Sequence, residues 1–348
     1  MSESFVPGMD AEEEPREPRR AQPRRRRWVI PVVVLLAVVL IAAGGLFGYA
    51  SWLQSRVSEN LDRSAELPAE ENRPQPQQPA EGGDGDQQAP MNVVLMGSDS
   101  RDVENAGAGR SDTLMIAHLS GDREKAYLIS FPRDMWVEIP GHGTAKINAA
   151  YAYGGTSLAV QTLEQLTDVR MDHLAVVDFE GFVALCDAVG GVTVDNETAF
   201  ETKNYSFPEG EVQLDGERAL EFVRERKSLP GGDLDRAENQ RKVVQAILAK
   251  GLSPEVIANP GRFSEFVSGI ASHTSVDAGL TDDVIRDTAL SLRLNGAGDI
   301  EQLQAPDQGT GTSADGQSIV VVDEERMQEM AEALQDDTMD EYLEKYPE

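Results

Sequence analysis

Apolar positions fall into two patterns along this chain. Residues 28–50, WVIPVVVLLAVVLIAAGGLFGYA, form a continuous apolar stretch without a charged side chain. At ~1.5 Å rise per residue such a helix reaches ~34 Å, enough for a ~30 Å hydrocarbon core. Further on, short β-branched or apolar runs predict strands at 92–97 (NVVLMG), 112–119 (DTLMIAHL), 125–131 (KAYLISF), 173–179 (HLAVVDF), 191–195 (GVTVD) and 318–323 (SIVVVD). Between them, helical patterns occupy 156–168, 180–191, 216–225 and 235–250, with later ones at 262–271, 281–292 and 324–334. Alternation of this kind predicts a layered α/β domain with helices on both sheet faces.

The flanks of the long apolar run set its orientation. Arg16, Arg19, Arg20, Arg24, Arg25, Arg26 and Arg27 precede it, and few basic residues follow. Trp28 at one end and Phe47, Tyr49 and Trp52 at the other suit an interfacial belt. By the positive-inside rule, residues 1–27 are a cytoplasmic, disordered basic tail, 28–50 a transmembrane helix, and the remainder is extracytoplasmic at the cell membrane. A cleaved signal peptide is the alternative, but the run exceeds a ~7–15-residue signal core and no A-x-A site follows closely. Residues 51–90 read as a linker: a short helical extension at 55–67, then the Pro/Gln/Gly-rich PAEENRPQPQQPAEGGDGDQQAP. The main domain is expected over 91–335, and 336–348 reads as an acidic tail.

Composition narrows the function. A formal charge of −30 over 348 residues argues against nucleic acid as a partner of the exported part. The lone Cys186, in FEGFVALCDAVGG, reads as a buried structural thiol. The four histidines show no metal-ligand spacing, so no zinc site is suggested.

The chemistry lies in charged groups at strand and helix ends. GSDSR (97–101) ends the first predicted strand and GRSDT (109–113) opens the next. If these strands pair, Asp99 and Asp112 lie at one sheet end and could share a hard cation such as Mg²⁺; equally, they could cap turns. FPRD presents Arg133 after a strand. In KINAAYAYGG (146–155), Lys146 and Asn148 could reach a phosphate or be ordinary loop residues. Arg224 and Arg226 follow the helix LEFV two apart, so in extended backbone they would point the same way. In the next helix, extending the stripe Val243, Val244, Ile247, Leu248 towards the N-terminus reaches Gln240 and Arg236. A buried arginine needs an anion: a ligand at the helix N-terminus, or Asp233 or Asp235 as salt-bridge partners. Crowding Arg101, Arg110, Arg133, Arg224, Arg226 and Arg236 together costs about 4 kcal/mol per close pair at an effective dielectric near ~20. A convergent set therefore implies a polyanion, and pyrophosphate with Mg²⁺ balances the charge.

The ordered motifs GSDSR, GRSDT, FPRD, KINAAYAYGG, VDFEGFVALCDAVGGV, LDGERALEFVRER and LDRAENQR resemble the LytR–CpsA–Psr family of bacterial cell-envelope proteins. The resemblance implies a three-layer α/β/α domain with an apolar tunnel for a polyprenyl tail, here preceded by a single transmembrane helix. It implies an Mg²⁺-dependent phosphotransferase (Mn²⁺ is a possible substitute) that moves a glycopolymer from a polyprenyl-pyrophosphate carrier in membrane lipid onto peptidoglycan, at N-acetylmuramic acid. Matched motif by motif, Asp99 and Asp112 are metal ligands, with Arg110 beside them. Arg133, Arg224, Arg226, Arg236 and Gln240 contact pyrophosphate, with Asp233 nearby. Lys146, Asn148 and Arg101 complete the substrate-binding set. The base is open, with Asp233 and Asp235 as candidates. Candidate tail-lining stripes are Leu158, Leu163 and Leu166, or Phe182, Leu185 and Val189. Two other readings of the same arginines are a non-catalytic wall protein binding polyprenyl phosphates or polyanions, and a polyprenyl-pyrophosphate phosphatase.

Overall fold

The computed structural model describes residues 61–79, 88–98, 111–251, 253–257, 259–294 and 296–347. The chain divides into two compact units, Met1–Trp52 and Leu53–Glu348, and the described residues all belong to the second. The expected membrane span at 28–50 thus lies outside the described residues, among which no helix is long and apolar enough to cross a membrane.

Among the described residues, fifteen strands and nine helices follow in order. The first part contains β1 (Asp62–Ala65), β2 (Met91–Ser98), β3 (Ser111–Leu119), β4 (Ala126–Ser130), β5 (Trp136–Ile139), β6 (Gly143–Lys146), α1 (Asn148–Thr167), β7 (His173–Asp178) and α2 (Phe179–Ala188). Next come β8 (Val192–Asn196), β9 (Phe200–Glu201), β10 (Ser206–Phe207), β11 (Gly210–Leu214), α3 (Gly216–Arg224), α4 (Asp233–Gly251), α5 (Pro254–Ile257) and α6 (Pro260–His273). The last part has β12 (Thr274–Asp277), α7 (Asp282–Ser291), β13 (Ile300–Gln304), β14 (Asp307–Thr312), β15 (Ser318–Val322), α8 (Glu324–Gln335) and α9 (Met339–Lys345).

The main sheet runs β1-β12-β7-β2-β3-β4-β13 and is mixed: β2 is parallel to β7 but antiparallel to β3. Its central strands are apolar on both faces because both are covered. Val94, Met96, Leu114, Ile116, Leu174 and Val176 face one core with residues of α1, α8 and α9, among them Leu163, Met330 and Tyr342. The alternate residues Leu95 and Ala117 face the other side, against Val244 and Leu248 of α4. Helices on both faces make this a mixed α/β fold. Cys186 is fully buried in a third cluster with Phe222 and Val243, and burial pushes its thiol up to about 12.

Both boundaries of the main domain differ from expectation. Residues 62–65 are not a helical extension of the span but the edge strand β1, paired parallel to β12. Arg73, within the expected linker, is buried and donates to Glu164 at 2.7 Å and 3.0 Å. The segment looks like a linker in sequence because its anchoring partner is 91 residues away. The expected acidic tail is also folded: α9 buries Met339 and Tyr342, and Asp340 accepts from Tyr127 Oη at 2.9 Å.

Candidate active site

Strand register brings several charged motifs to one end of the sheet. Ser98, the last residue of β2, pairs with Ser111 at the start of β3 and with Asp178 at the end of β7. The strand carrying Gly97 and the one carrying Asp112 are therefore antiparallel neighbours, as the motifs required. Asp99, Arg101 and Arg110 lie outside the described residues, and at Asp112 only the strand backbone is described.

A cavity of about 300 Å³ opens at this end. Its floor is the sheet face made by Leu95, Met115, Ala175 and Val177. Its roof comes from Phe182 and Leu185 of α2, Leu220 and Val223 of α3, and Val244, Ile247 and Leu248 of α4. Polar and charged groups gather elsewhere in the lining: Thr113, Asp178, Arg224, Arg236 and Gln240, with the ring of Phe179 among them. The site thus joins an apolar chamber to cationic groups. Of the two stripes expected to lie along a lipid tail, Phe182 and Leu185 line this cavity; Val189 does not. Leu158, Leu163 and Leu166 belong to the core on the opposite face, because α1 packs there.

Arg236 is 5% exposed, as its place on the apolar stripe of α4 predicted. Its charge is met by Asp233, whose Oδ1 lies 2.8 Å from Arg236 Nη2 and 3.1 Å from Arg133 Nε. One carboxylate thus serves two guanidinium groups, which is the salt-bridge alternative expected for Arg236. Asp235, the other candidate base, accepts from Gly231 N–H at 2.7 Å and so shapes the loop before α4. Gln240 is held by Thr113 Oγ1 at 2.9 Å and donates to Val223 O at 3.3 Å.

Lys146 and Asn148 support the Arg133 loop and do not line the cavity. Lys146 Nζ sits 3.1 Å from Asp134 Oδ1, and Asn148 N–H donates to Arg133 O at 3.2 Å. Arg226 departs further from expectation. Arg224 is the last residue of α3, so the alternation of extended backbone does not relate the two side chains. After it, Glu225 Oε1 accepts from the N–H groups of Arg226, Lys227 and Ser228 at 2.9, 2.6 and 3.0 Å, and the chain turns. Burial raises the Glu225 pKa, but these bonds outweigh it and hold the carboxyl below its usual range. Arg226 ends exposed, outside the cavity lining.

Asp178 and Phe179 were missed as site residues. Asp178 ends β7 and caps α2, accepting from Gly181 N–H at 2.6 Å. Phe179 lies beneath Arg224, whose Cζ is 3.7 Å from the ring centroid. The available signal was a carboxylate at a strand's C-terminal end before a helix, where α/β folds place ligands.

Residues 55–336 match the profile of the LytR_cpsA_psr family. Over 246 residues the chain is 36% identical to the polyisoprenyl-teichoic acid–peptidoglycan teichoic acid transferase TagU of Enterococcus faecalis, a match covering 70% of this chain and 78% of that protein. It is 34% identical over 248 residues to the Bacillus subtilis protein of the same name, covering 71% and 78%. The crystal structure of B. subtilis TagV shares the fold, with a TM-score of 0.60 at 24% identity over 72% of this chain and 97% of that one.

Proposed function

The chain belongs to the LytR_cpsA_psr family, and on that premise we propose that it transfers a teichoic-acid-like glycopolymer from a polyprenyl-pyrophosphate carrier to peptidoglycan. The observation that carries this reading is the shared cavity: an apolar chamber lined also by Arg224, Arg236 and Gln240, with Arg133 joined to Arg236 through Asp233. The chamber takes the isoprene units nearest the phosphates. Lipid tails are as apolar as the chamber, so moving a tail from bilayer to protein gains little. The chamber cancels the cost of lifting the carrier out, and the arginines supply affinity for its head.

In the transfer, a peptidoglycan hydroxyl oxygen attacks the phosphorus that bears the polymer. The bond from that phosphorus to the bridging oxygen breaks, and polyprenyl monophosphate leaves. The hydroxyl proton passes to a base or to water. Little covalent chemistry is asked of the protein, so positioning and charge stabilisation dominate. Arg236 and Arg133 swap part of their contact with Asp233 for phosphate oxygens, while Arg224 closes over the head from α3.

Asp99 and Asp112 would hold Mg²⁺ or Mn²⁺. The donor chemistry fits: two carboxylates among serine hydroxyls, on strands whose Ser98 and Ser111 are register partners. Such an ion, when bound, neutralises charge on the pyrophosphate oxygens. In the same reading residues 28–50 anchor the protein in the cell membrane with the domain outside. Strand β1 starts at Asp62, so the tether is shorter than the linker expected over 51–90.

The test mixes the purified domain with a polyprenyl-pyrophosphate oligosaccharide, Mg²⁺ and peptidoglycan fragments. A phosphodiester-linked product is expected. Free sugar phosphate alone would establish hydrolysis, and binding without turnover would establish a non-catalytic wall protein.

A further inference from the structure

Resting on the pyrophosphate reading of this site, we propose that Phe179 is a positioning residue that sets the Arg224 guanidinium at the phosphate end of the cavity. Arg224 is the last residue of α3 and exposed. Among the described residues its guanidinium has neither an ion-pair partner nor a hydrogen-bond acceptor; its one specific contact is the Phe179 ring, at 3.7 Å. A long side chain at a helix end otherwise samples many rotamers, and ordering it at the moment of reaction costs entropy.

Stacking is suited to this task. A guanidinium resting flat on an aromatic face is held by the ring's quadrupole, while its N–H donors stay in the guanidinium plane. An aspartate in the same place would occupy those donors, as Asp233 does for Arg236. Phe179 thus orients Arg224 without competing for phosphate oxygens.

The ring is itself firmly placed. Phe179 is the first residue of α2, whose N-terminus Asp178 caps through Gly181 N–H. Gly181 packs so closely on the end of α6 that an added Cβ would lie 2.4 Å from His273 Cβ. Position 179 is therefore fixed by strand β7 on one side and α6 on the other. Phe179 also lines the cavity, so the same ring serves as apolar wall and as platform.

Those two roles separate by substitution. Phe179→Leu and Phe179→Met keep an apolar wall but remove the aromatic face, whereas Phe179→Tyr keeps the face. Turnover with a polyprenyl-pyrophosphate oligosaccharide should fall about 3- to 5-fold in kcat for Leu and Met, with donor KM within about 2-fold, because an exposed cation–π contact is lost. Tyr should restore kcat to within about 2-fold of wild type. In the Arg224→Ala background, Phe179→Leu should add no further loss, since the residue it positions is gone. A rise in KM alone, or losses that multiply in the double variant, would overturn the proposal and leave Phe179 as lipid wall only. If Arg224→Ala itself turned over normally, the pyrophosphate reading would fail with it; full effect there but none at Phe179 overturns this inference alone.

Discussion

Asp233 Oδ1 lies 2.8 Å from Arg236 Nη2, three residues on in the same helix, and the same oxygen also meets Arg133 at 3.1 Å. This carboxylate bridges the two arginines where the substrate's phosphates are proposed to bind. Asp233→Asn keeps the shape and removes the charge, leaving Arg133 and Arg236 to repel each other. We expect about 1–3 kcal/mol lower stability by denaturant titration. Inorganic pyrophosphate should then raise Tm more in the variant than in wild type, because the added anion replaces the lost one. An equal or smaller rise in the variant would mean that pyrophosphate does not bind between these arginines.

Arg224 and Arg226 looked equivalent in sequence, but their placement separates them. Arg224 lines the cavity, whereas Arg226 lies beyond the turn that Glu225 stabilises. Arg224→Ala should lower turnover about 100-fold by removing preorganised charge stabilisation. Arg226→Ala should cost less than about 10-fold, the scale of one exposed, screened charge. Parallel kcat measurements decide it, and equal losses would show that Arg226 moves into the site on binding.

Leu185 lies in the roof of the chamber and packs against the apolar cluster around Phe222. Leu185→Trp fills the space proposed for the lipid. Overpacking costs ~1–3 kcal/mol, so affinity for a polyprenyl phosphate should drop about 10-fold or more. Binding of inorganic pyrophosphate should stay unchanged, because it needs only the arginines. Calorimetry with both ligands gives the comparison, and unchanged lipid affinity would place the tail elsewhere.

The parts legible in the sequence were those whose burial is local and periodic. Val94, Leu95 and Met96 announced a strand covered on both faces, and Val243 and Ile247 set the stripe that placed Arg236 inside. Parts decided by distant partners were not legible. Strand β1 is DRSA, polar because it is a short edge strand, and only pairing with β12 marks it as sheet. The separate placement of Arg226 was hidden because α3 runs on through Arg224 and the Glu225 carboxylate turns the chain after it. Phe179 was hidden because one aromatic after a strand reads as core, and its partner Arg224 lies on another helix.

The same limit governs residues 61–79, and it yields the last prediction. Arg73 and Glu164 have side chains only 2% and 3% exposed, and their 2.7 Å contact ties residues 61–79 to α1. Glu164 Oε1 also accepts from Met171 N–H at 3.0 Å, so its charge is held from two sides. Glu164→Gln removes the buried counter-charge of Arg73, which should cost about 3 kcal/mol. Arg73 also meets Glu70 at 3.2 Å, but that carboxylate is 71% exposed and is shared with Arg170 at 2.8 Å. Glu70→Gln should therefore leave stability close to wild type. Denaturant titration of the two variants measures the difference. A third protein beginning at residue 88 lacks β1 and Arg73, so it should lose at least as much as Glu164→Gln. Wild-type stability in the truncated protein would show that residues 61–79 are a linker after all.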